Sequence, residues 1–295
     1  MDLKSKIVLI YGPTASGKSN FAIKLAKKIK GEIVNADSMQ VYKELRILTA
    51  RPIKKNFKKI KHHLYGFQNS KINFSTGDWL KIVVKKINEI RNRKKIPILV
   101  GGTGLYFKAL TEGLVEITSI PLKFRNKIRL SQKSIGQEKF YNKLIKLDPT
   151  IANHVKSTDV QRSIRAYEVK LYTKKSITEW YKNTKSKFKK KEFLKLYIDY
   201  PRSELIEKIN LRIKQMLNMG AVLEVKKFLT LKISKNKSVS KAIGIVEIKD
   251  FIKKKMDEKE VIDKISIKTR QYAKRQVTWA RGHMKSWKKI EPKRL

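Results

Sequence analysis

Short, unbroken apolar runs alternate along this chain with stretches in which apolar residues return every three or four positions. KIVLIYG (6–12), EIVNADSMQVY (32–42) and IPILVGG (96–102) are of the first kind, and branched aliphatic runs of this length predict strands covered on both faces. The second is expected to end near Asp37. Lys18–Ile29 and the series Trp79, Leu80, Val83, Val84, Ile87 and Ile90 have the spacing of helices packed on such strands. Gly31 is expected to stop the first of these helices. Strand, loop, helix, strand, helix, strand is the order of a parallel sheet with right-handed crossovers, whose ligands collect at the carboxyl ends of the strands. Gly12–Ser19, Asp37 and Gly101–Gly104 all fall at such ends.

From about Leu122 to Lys191 the pattern changes to polar, basic helical stretches without a convincing strand, which predicts an inserted helical unit. FLKLYID (193–199) then returns as a strand. After Pro201 and Ser203 a helix is expected with Glu204 and Glu207 in its first turns, Leu205, Ile209, Ile213 and Met216 inward, and Gly220 as terminator. A last long helix, about Glu258–Arg281, places Ile262, Ile265, Thr269, Tyr272, Gln276 and Trp279 at alternating spacings of three and four. The expected class is therefore α/β: a P-loop parallel-sheet core flanked by helices, in two parts (1–119 and 192–295), the second ending in a basic helix. A helical domain (120–191) is inserted between them.

Charge narrows the partners. The 71 Lys plus Arg against 25 Asp plus Glu give a formal charge of +46, which points to a polyanion. Biased codon usage accounts for part of the lysine content, less well for the scarcity of acids. The excess is also clustered: Tyr181–Lys191 holds six lysines and no acid, and Lys264–Leu295 holds eleven Lys and Arg against Glu291 alone. Such clustering is the footprint of a nucleic-acid face. With no cysteine, disulfides, thiolate zinc sites and cysteine nucleophiles are excluded, and a reducing cytoplasm is the expected compartment. No run approaches the roughly twenty apolar residues of a membrane span, so a soluble protein, taken as a monomer, is expected.

GPTASGKS fits G-x-x-x-x-G-K-[ST] in a strand–loop–helix setting. In such a loop (Gly12, Pro13, Thr14, Ala15, Ser16, Gly17, Lys18, Ser19) inward amides and the helix start favour phosphate, the lysine reaches the outer phosphates, and the last hydroxyl touches Mg²⁺. A nucleotide hydrolase also needs a magnesium-binding aspartate at the end of a later strand. The third strand ends instead in GGTG. Asp37, at the end of the second strand, suits a general base beside a diphosphate, with metal ligand and structural cap as alternatives. Arg212 lies on the inward stripe of its helix and so needs an anionic partner, for which a buried acid such as Asp199 is one candidate.

Further blocks follow in order over nearly the whole chain: NADSMQVYKELRILTARP (35–52), HHL (62–64), ILVGGTGLYFKAL (98–110), DVQRSIRAYEV (159–169) and TRQYAKRQVTWARG (269–282). Together with the phosphate loop they resemble the tRNA dimethylallyltransferases. The resemblance implies that the phosphates belong to dimethylallyl diphosphate, with Lys18, Mg²⁺ and Arg212 meeting the charge of the leaving diphosphate. It makes Asp37 the acceptor of a proton from the exocyclic amine of an adenosine beside the anticodon, taken out of its stack. Thr103 would lie near the reacting groups, its plainer role being to satisfy the GGTG turn.

The same resemblance places tRNA against Asp37, Ser38, Met39, Gln40, Thr103, Arg125, Gln161, Arg162, Ser163, Ile164 and Arg165, the segment Lys241–Val246, and Arg270, Lys274, Arg275, Gln276 and Arg281. Arg270, Lys274 and Arg281, spaced four and seven apart, form a basic edge whose alternative reading is a solvated flank. The inserted unit, with Trp180 and Tyr181 at its end, would close as an arm on the anticodon stem-loop. Two positions depart from the family pattern: Arg51 stands where a lysine is usual, and Gly244-Ile245 where Gly-Tyr is usual. The absence of a cysteine-rich C-terminal extension resembles the bacterial forms. The rival readings are prenylation of free adenine nucleotides, a small-molecule kinase, and an RNA-binding protein with a relic loop.

Overall fold

A computed structural model describes residues 5–53, 57, 60–182 and 184–291. The chain divides into two compact units, one formed by the segments before Glu112 and after Ser186, the other by Glu112–Ser186. The sequence pattern had put the inserted unit at 120–191. The first segment contains β1 (Ile7–Tyr11), α1 (Lys18–Ile29), β2 (Gly31–Asn35), β3 (His62–His63), α2 (Thr76–Asn92), β4 (Ile96–Gly101) and α3 (Gly104–Glu112). The inserted unit holds α4 (Leu122–Ile135), α5 (Gln137–Leu147), α6 (Val160–Thr173) and α7 (Ile177–Lys182). The chain returns through β5 (Phe193–Ile198), α8 (Arg202–Asn218), α9 (Ala221–Thr230), α10 (Ile245–Ile252), α11 (Glu258–His283) and β6 (Lys288–Ile290).

Among the described residues the strands form one sheet in the order β3-β2-β4-β1-β5-β6, every pairing parallel. Both faces of β1 are buried, which is why its sequence is an unbroken apolar run. Ile7, Leu9 and Tyr11 belong with Trp79, Val83 and Ile87 of α2, while Val8 and Ile10 belong with Ala22 and Ala26 of α1. The register sets Tyr11 level with Gly101 and Tyr197, and Asn35 level with Val100. The carboxyl ends of β1, β2, β4 and β5 therefore open along one edge, and the loops leaving them share it.

Three local expectations are corrected. Gly31 does not stop α1: Lys30 does so in a left-handed conformation (φ 53), and Gly31 begins β2, where a Cβ would meet Ile98 Cδ1 at 2.5 Å. The edge strands β3 and β6 were not foreseen, being two and three residues long. In α11 the buried line runs through Val261, Ile265, Thr269, Ala273, Gln276 and Ala280, leaving Ile262 and Trp279 on its half-buried flank.

The inserted unit has helices and no strand among its described residues. Leu144, Ile151, Ala166 and Val169 make one cluster, and Ile128, Phe140 and Ile164 a second. Gly136, with φ 78, turns the chain between α4 and α5.

Candidate active site

The loop after β1 is shaped by close approach. A Cβ at Gly12 would meet Ser16 Oγ at 2.8 Å and Ile198 Cβ at 2.9 Å, so no side chain fits there. Ala15 (φ 64) and Gly17 (φ 77) take left-handed conformations that curl the loop into the start of α1, where amide dipoles favour an anion. Lys18 folds back over the loop and its Nζ donates to Pro13 O at 3.0 Å. Burial pulls this ammonium down to about 8 against the opposing pull of Asp37, and Arg212 adds to the lowering. Ser16 Oγ is buried with no hydrogen-bond partner. A polar ligand in the loop would give it one.

Asp37 stands at the far side of the same edge. Its Oδ1 accepts from the amides of Met39 at 2.9 Å and Gln40 at 3.4 Å, so one oxygen does cap the turn. Among the described residues no partner holds the other oxygen. The turn itself is fixed by Asn35, which is fully buried: its Oδ1 accepts from Asp37 N at 3.0 Å, and its Nδ2 donates to Asp37 O and Leu64 O at 3.0 and 3.1 Å. Thr103 Oγ1 accepts from Ser38 N at 2.9 Å and donates to Ser38 Oγ at 3.2 Å, which ties the β2 and β4 turns together. Gln40 turns its amide inward, Nε2 donating to Thr49 O at 2.9 Å.

Arg212 comes from α8 to the same place. Asp199, the acid considered as its partner, is 3.1 Å from Lys289 instead. Among the described residues no ion pair or hydrogen bond holds the Arg212 guanidinium, and burial lowers its pKa while Asp37 opposes the shift. A cavity of about 290 Å³ is lined by Thr14, Asp37, Arg212, Lys241 and Arg275. Apolar side chains complete the lining: Leu48, Ile213, Met216, Ile243 and Ile265. Tyr272 also faces it, and burial, reinforced by Asp37, raises that phenol's pKa.

Leu48 is held by an unforeseen carboxylate. Glu224 on α9 accepts from the amides of Arg46, Ile47 and Leu48 at 2.8 to 2.9 Å. Arg51 is likewise internal, Nη1 and Nη2 donating to Tyr42 O and Lys43 O at 2.8 and 3.0 Å above Gly66, whose Cβ would overlap the guanidinium. Its conformation serves the fold and leaves phosphate to other cations.

Gln276 needs the largest revision. It is 4% exposed, its Oε1 accepts from Thr14 N at 2.8 Å and its Nε2 donates to Gly102 O at 2.9 Å. Its backbone carbonyl accepts from Tyr11 OH at 2.9 Å. Enclosed, and with both ends of its amide bonded inside the protein, it braces the phosphate loop against the β4 turn. Of the other α11 residues, Arg270, Lys274 and Arg281 line a second cleft of about 1070 Å³ with Asp199 and Glu204, whereas Arg275 faces the first and lies 5.8 Å from the Tyr272 ring.

In the inserted unit, Ser163 is fully buried and Ile164 7% exposed. Ser163 Oγ donates to Asp159 O and accepts from Gln137 Nε2. These two residues pack the helix and present nothing to a ligand, while Gln161 and Arg162 at the start of α6 are exposed. Arg125 Nε donates to Glu168 Oε2 at 3.1 Å, and Arg165 Nη1 is 3.6 Å from the same oxygen.

A divalent cation has no protein-only cage here, since among the described residues no group of three His, Asp or Glu could hold one. Ser19, half-buried at the start of α1, fits a hard ion that takes most of its oxygens from a bound phosphate and water, as magnesium does.

The family model described as IPP transferase matches residues 40–283. A "tRNA dimethylallyltransferase" of Pelagibacter ubique is 61% identical over all of this chain and 94% of its own length. That of Agrobacterium fabrum is 40% identical over 99% of each chain. Among solved structures, the full-length tRNA isopentenylpyrophosphate transferase of Bacillus halodurans is 30% identical with a TM-score of 0.70, over 98% of this chain and 90% of that one. A eukaryotic dimethylallyltransferase acting on tRNA aligns with a TM-score of 0.85 at 29% identity, over 97% of this chain and 74% of that one.

Proposed function

We propose, since this chain belongs to the IPP transferase family, that it transfers a dimethylallyl group from dimethylallyl diphosphate to tRNA, at the exocyclic amine of the adenosine adjacent to the anticodon, releasing diphosphate. The observation that carries the reading is the mixed lining of the 290 Å³ cavity, in which Asp37 and Arg212 meet Leu48, Ile213, Met216, Ile243 and Ile265. The apolar side chains suit a five-carbon allylic chain. Arg212 in the cavity and Lys18 in the phosphate loop, which Thr14 brings to it, suit its diphosphate.

Lys18 and Arg212 meet the negative charge that grows as the allylic carbon–oxygen bond breaks, in a site where burial strengthens both interactions. Ser19 would hold the magnesium ion, which when bound supplies further neutralisation of the diphosphate. The amine nitrogen takes the allylic carbon, and its proton goes to the free oxygen of Asp37, whose other oxygen stays on the turn amides. Thr103 positions Ser38, and through it the Asp37 turn. Arg275 and Lys241 border the cavity where RNA would enter, and Arg270, Lys274, Arg281, Arg125, Gln161, Arg162 and Arg165 meet tRNA phosphates. The cysteine-free sequence suits a reducing compartment, and we read the enzyme as cytoplasmic.

The test offers dimethylallyl diphosphate with unmodified tRNA, with AMP or with ATP, and weighs the products. A gain of one dimethylallyl group on tRNA alone is expected. Prenylated AMP, or steady ATP hydrolysis, would replace the proposal.

A further inference from the structure

Two acids of the helical unit, Asp148 and Glu168, are enclosed, and of these Glu168 is the one ringed by arginines. Glu168, on α6, is 1% exposed and is surrounded by three arginines. Arg125 Nε donates to its Oε2 at 3.1 Å, Arg129 Nε is 3.4 Å from its Oε1, and Arg165 Nη1 is 3.6 Å from its Oε2. Arg125 and Arg129 sit four apart on α4, and Arg165 precedes Glu168 by three on α6, so helical spacing puts all four on facing stripes of two packed helices.

A buried carboxylate needs a cation, but one arginine, bidentate, would serve. Three leave a local excess of positive charge. Each guanidinium has five N–H donors and a carboxylate about four acceptor sites, so most donors go unused. Arg125 and Arg129 approach Glu168 through Nε. Their Nη groups, which form the bidentate fork, have no partner among the described residues. The arginine side chains remain 35%, 45% and 39% exposed while the acid beneath them is enclosed.

From this geometry we infer that Glu168 is a positioning residue for an RNA-phosphate clamp, and that Arg129 is a contact residue of that clamp alongside Arg125 and Arg165. The inference rests on the tRNA reading above and adds to it an anchor and a contact. Glu168 holds three guanidiniums, those of Arg125 and Arg129 with their forks outward, so that a phosphodiester meets donors already ordered.

The sign of one substitution separates positioning from plain electrostatics. Glu168→Gln removes a negative charge from an RNA-facing surface. If the acid were a bystander, tRNA should bind as well or better. As an anchor, its loss should weaken tRNA binding by about tenfold, because the loosened guanidiniums no longer make charge-assisted bonds to phosphate. The KM for dimethylallyl diphosphate and kcat at saturating tRNA should stay within about twofold of wild type, the clamp supplying binding and not chemistry. Arg129→Ala, at an exposed site, should give a similar loss and lower the slope of log affinity against log salt by about one. Arg129→Lys should restore the slope but only part of the affinity. Binding and turnover are measured side by side with melting curves. A wild type that fails to modify tRNA overturns the functional reading itself. With that activity present, a folded Glu168→Gln protein that binds tRNA with unchanged or greater affinity overturns the anchor. Should Glu168→Gln fail to fold, an Arg129→Ala protein with unchanged affinity and salt slope overturns the clamp.

Discussion

The cavity edge of the sheet and the α4–α6 face of the helical unit treat their cations in opposite ways. Lys18 and Arg212 stand close to Asp37 without an ion pair, and burial lowers the pKa of both. Arg125, Arg129 and Arg165 are more exposed and share one enclosed acid. An unpaired cation in a cleft is costly until an anion arrives, so the cost is recovered only by the ligand. Anchored arginines cost little to order and hold a shape before the ligand comes. The first arrangement suits charge that develops during a reaction, the second suits charge that is always present on a polymer.

The comparison breaks first at Asp37. With one oxygen capping the turn and the other free, Asp37→Asn keeps most of the cap and removes the base, so single-turnover prenylation should fall by about 10²- to 10⁴-fold with tRNA affinity and melting temperature nearly unchanged. Recovery of rate at high magnesium would make Asp37 a metal ligand instead. Lys18→Ala should lower turnover by about 10²- to 10³-fold and leave tRNA affinity intact; an equal collapse of both would erase the distinction between the two regions.

The protonation of Lys18 sharpens it. The folded protein binds this proton less readily than the unfolded chain, with pKa values of about 8 and 10.5. Between them the unfolded chain carries more protons, so the contribution of Lys18 to stability rises with pH across that window. A diphosphate favours the charged form, and binding near pH 8 should therefore take up protons, read by calorimetry in buffers of different ionisation enthalpy. Lys18→Ala should abolish the uptake. The smallest effect is expected at Gln276: Gln276→Leu leaves Thr14 N and Gly102 O without their partner, costing about 1–3 kcal/mol each if unsatisfied, with a several-fold rise in the KM for dimethylallyl diphosphate and no change in the salt dependence of tRNA binding.

The core was legible where a local rule leaves little choice. β1 must read as a continuous apolar run because both its faces are covered, and the loop behind it must keep Gly12 because Ser16 and Ile198 fill the space of a Cβ. Gln276 was placed correctly on the inward stripe of α11, and a buried amide on such a stripe demands internal partners; that signal was present and outweighed by its basic neighbours. Asn35, a polar residue ending an apolar run, carried a similar signal. Lys30 in place of Gly31 as helix terminator was not legible, since a lysine accepts a left-handed conformation only at a cost that sequence does not announce. Glu224 left no trace, because its partners lie 176 to 178 residues away; Glu168 shows a helical i,i+3 pair with Arg165, but Arg125, 43 residues away, is out of local view, and a solvated acid at the same helical position would read alike.

The Gln276 brace also has a consequence in time. It joins the phosphate loop to a residue 262 positions later and the β4 turn to one 174 positions later, and the ribosome makes a chain from its N-terminus. A nascent chain that already contains the loop, Asp37 and Arg212 still lacks the side chain that locks two of its turns together. The lock on these two turns therefore arrives with α11, long after the segments it holds have been made.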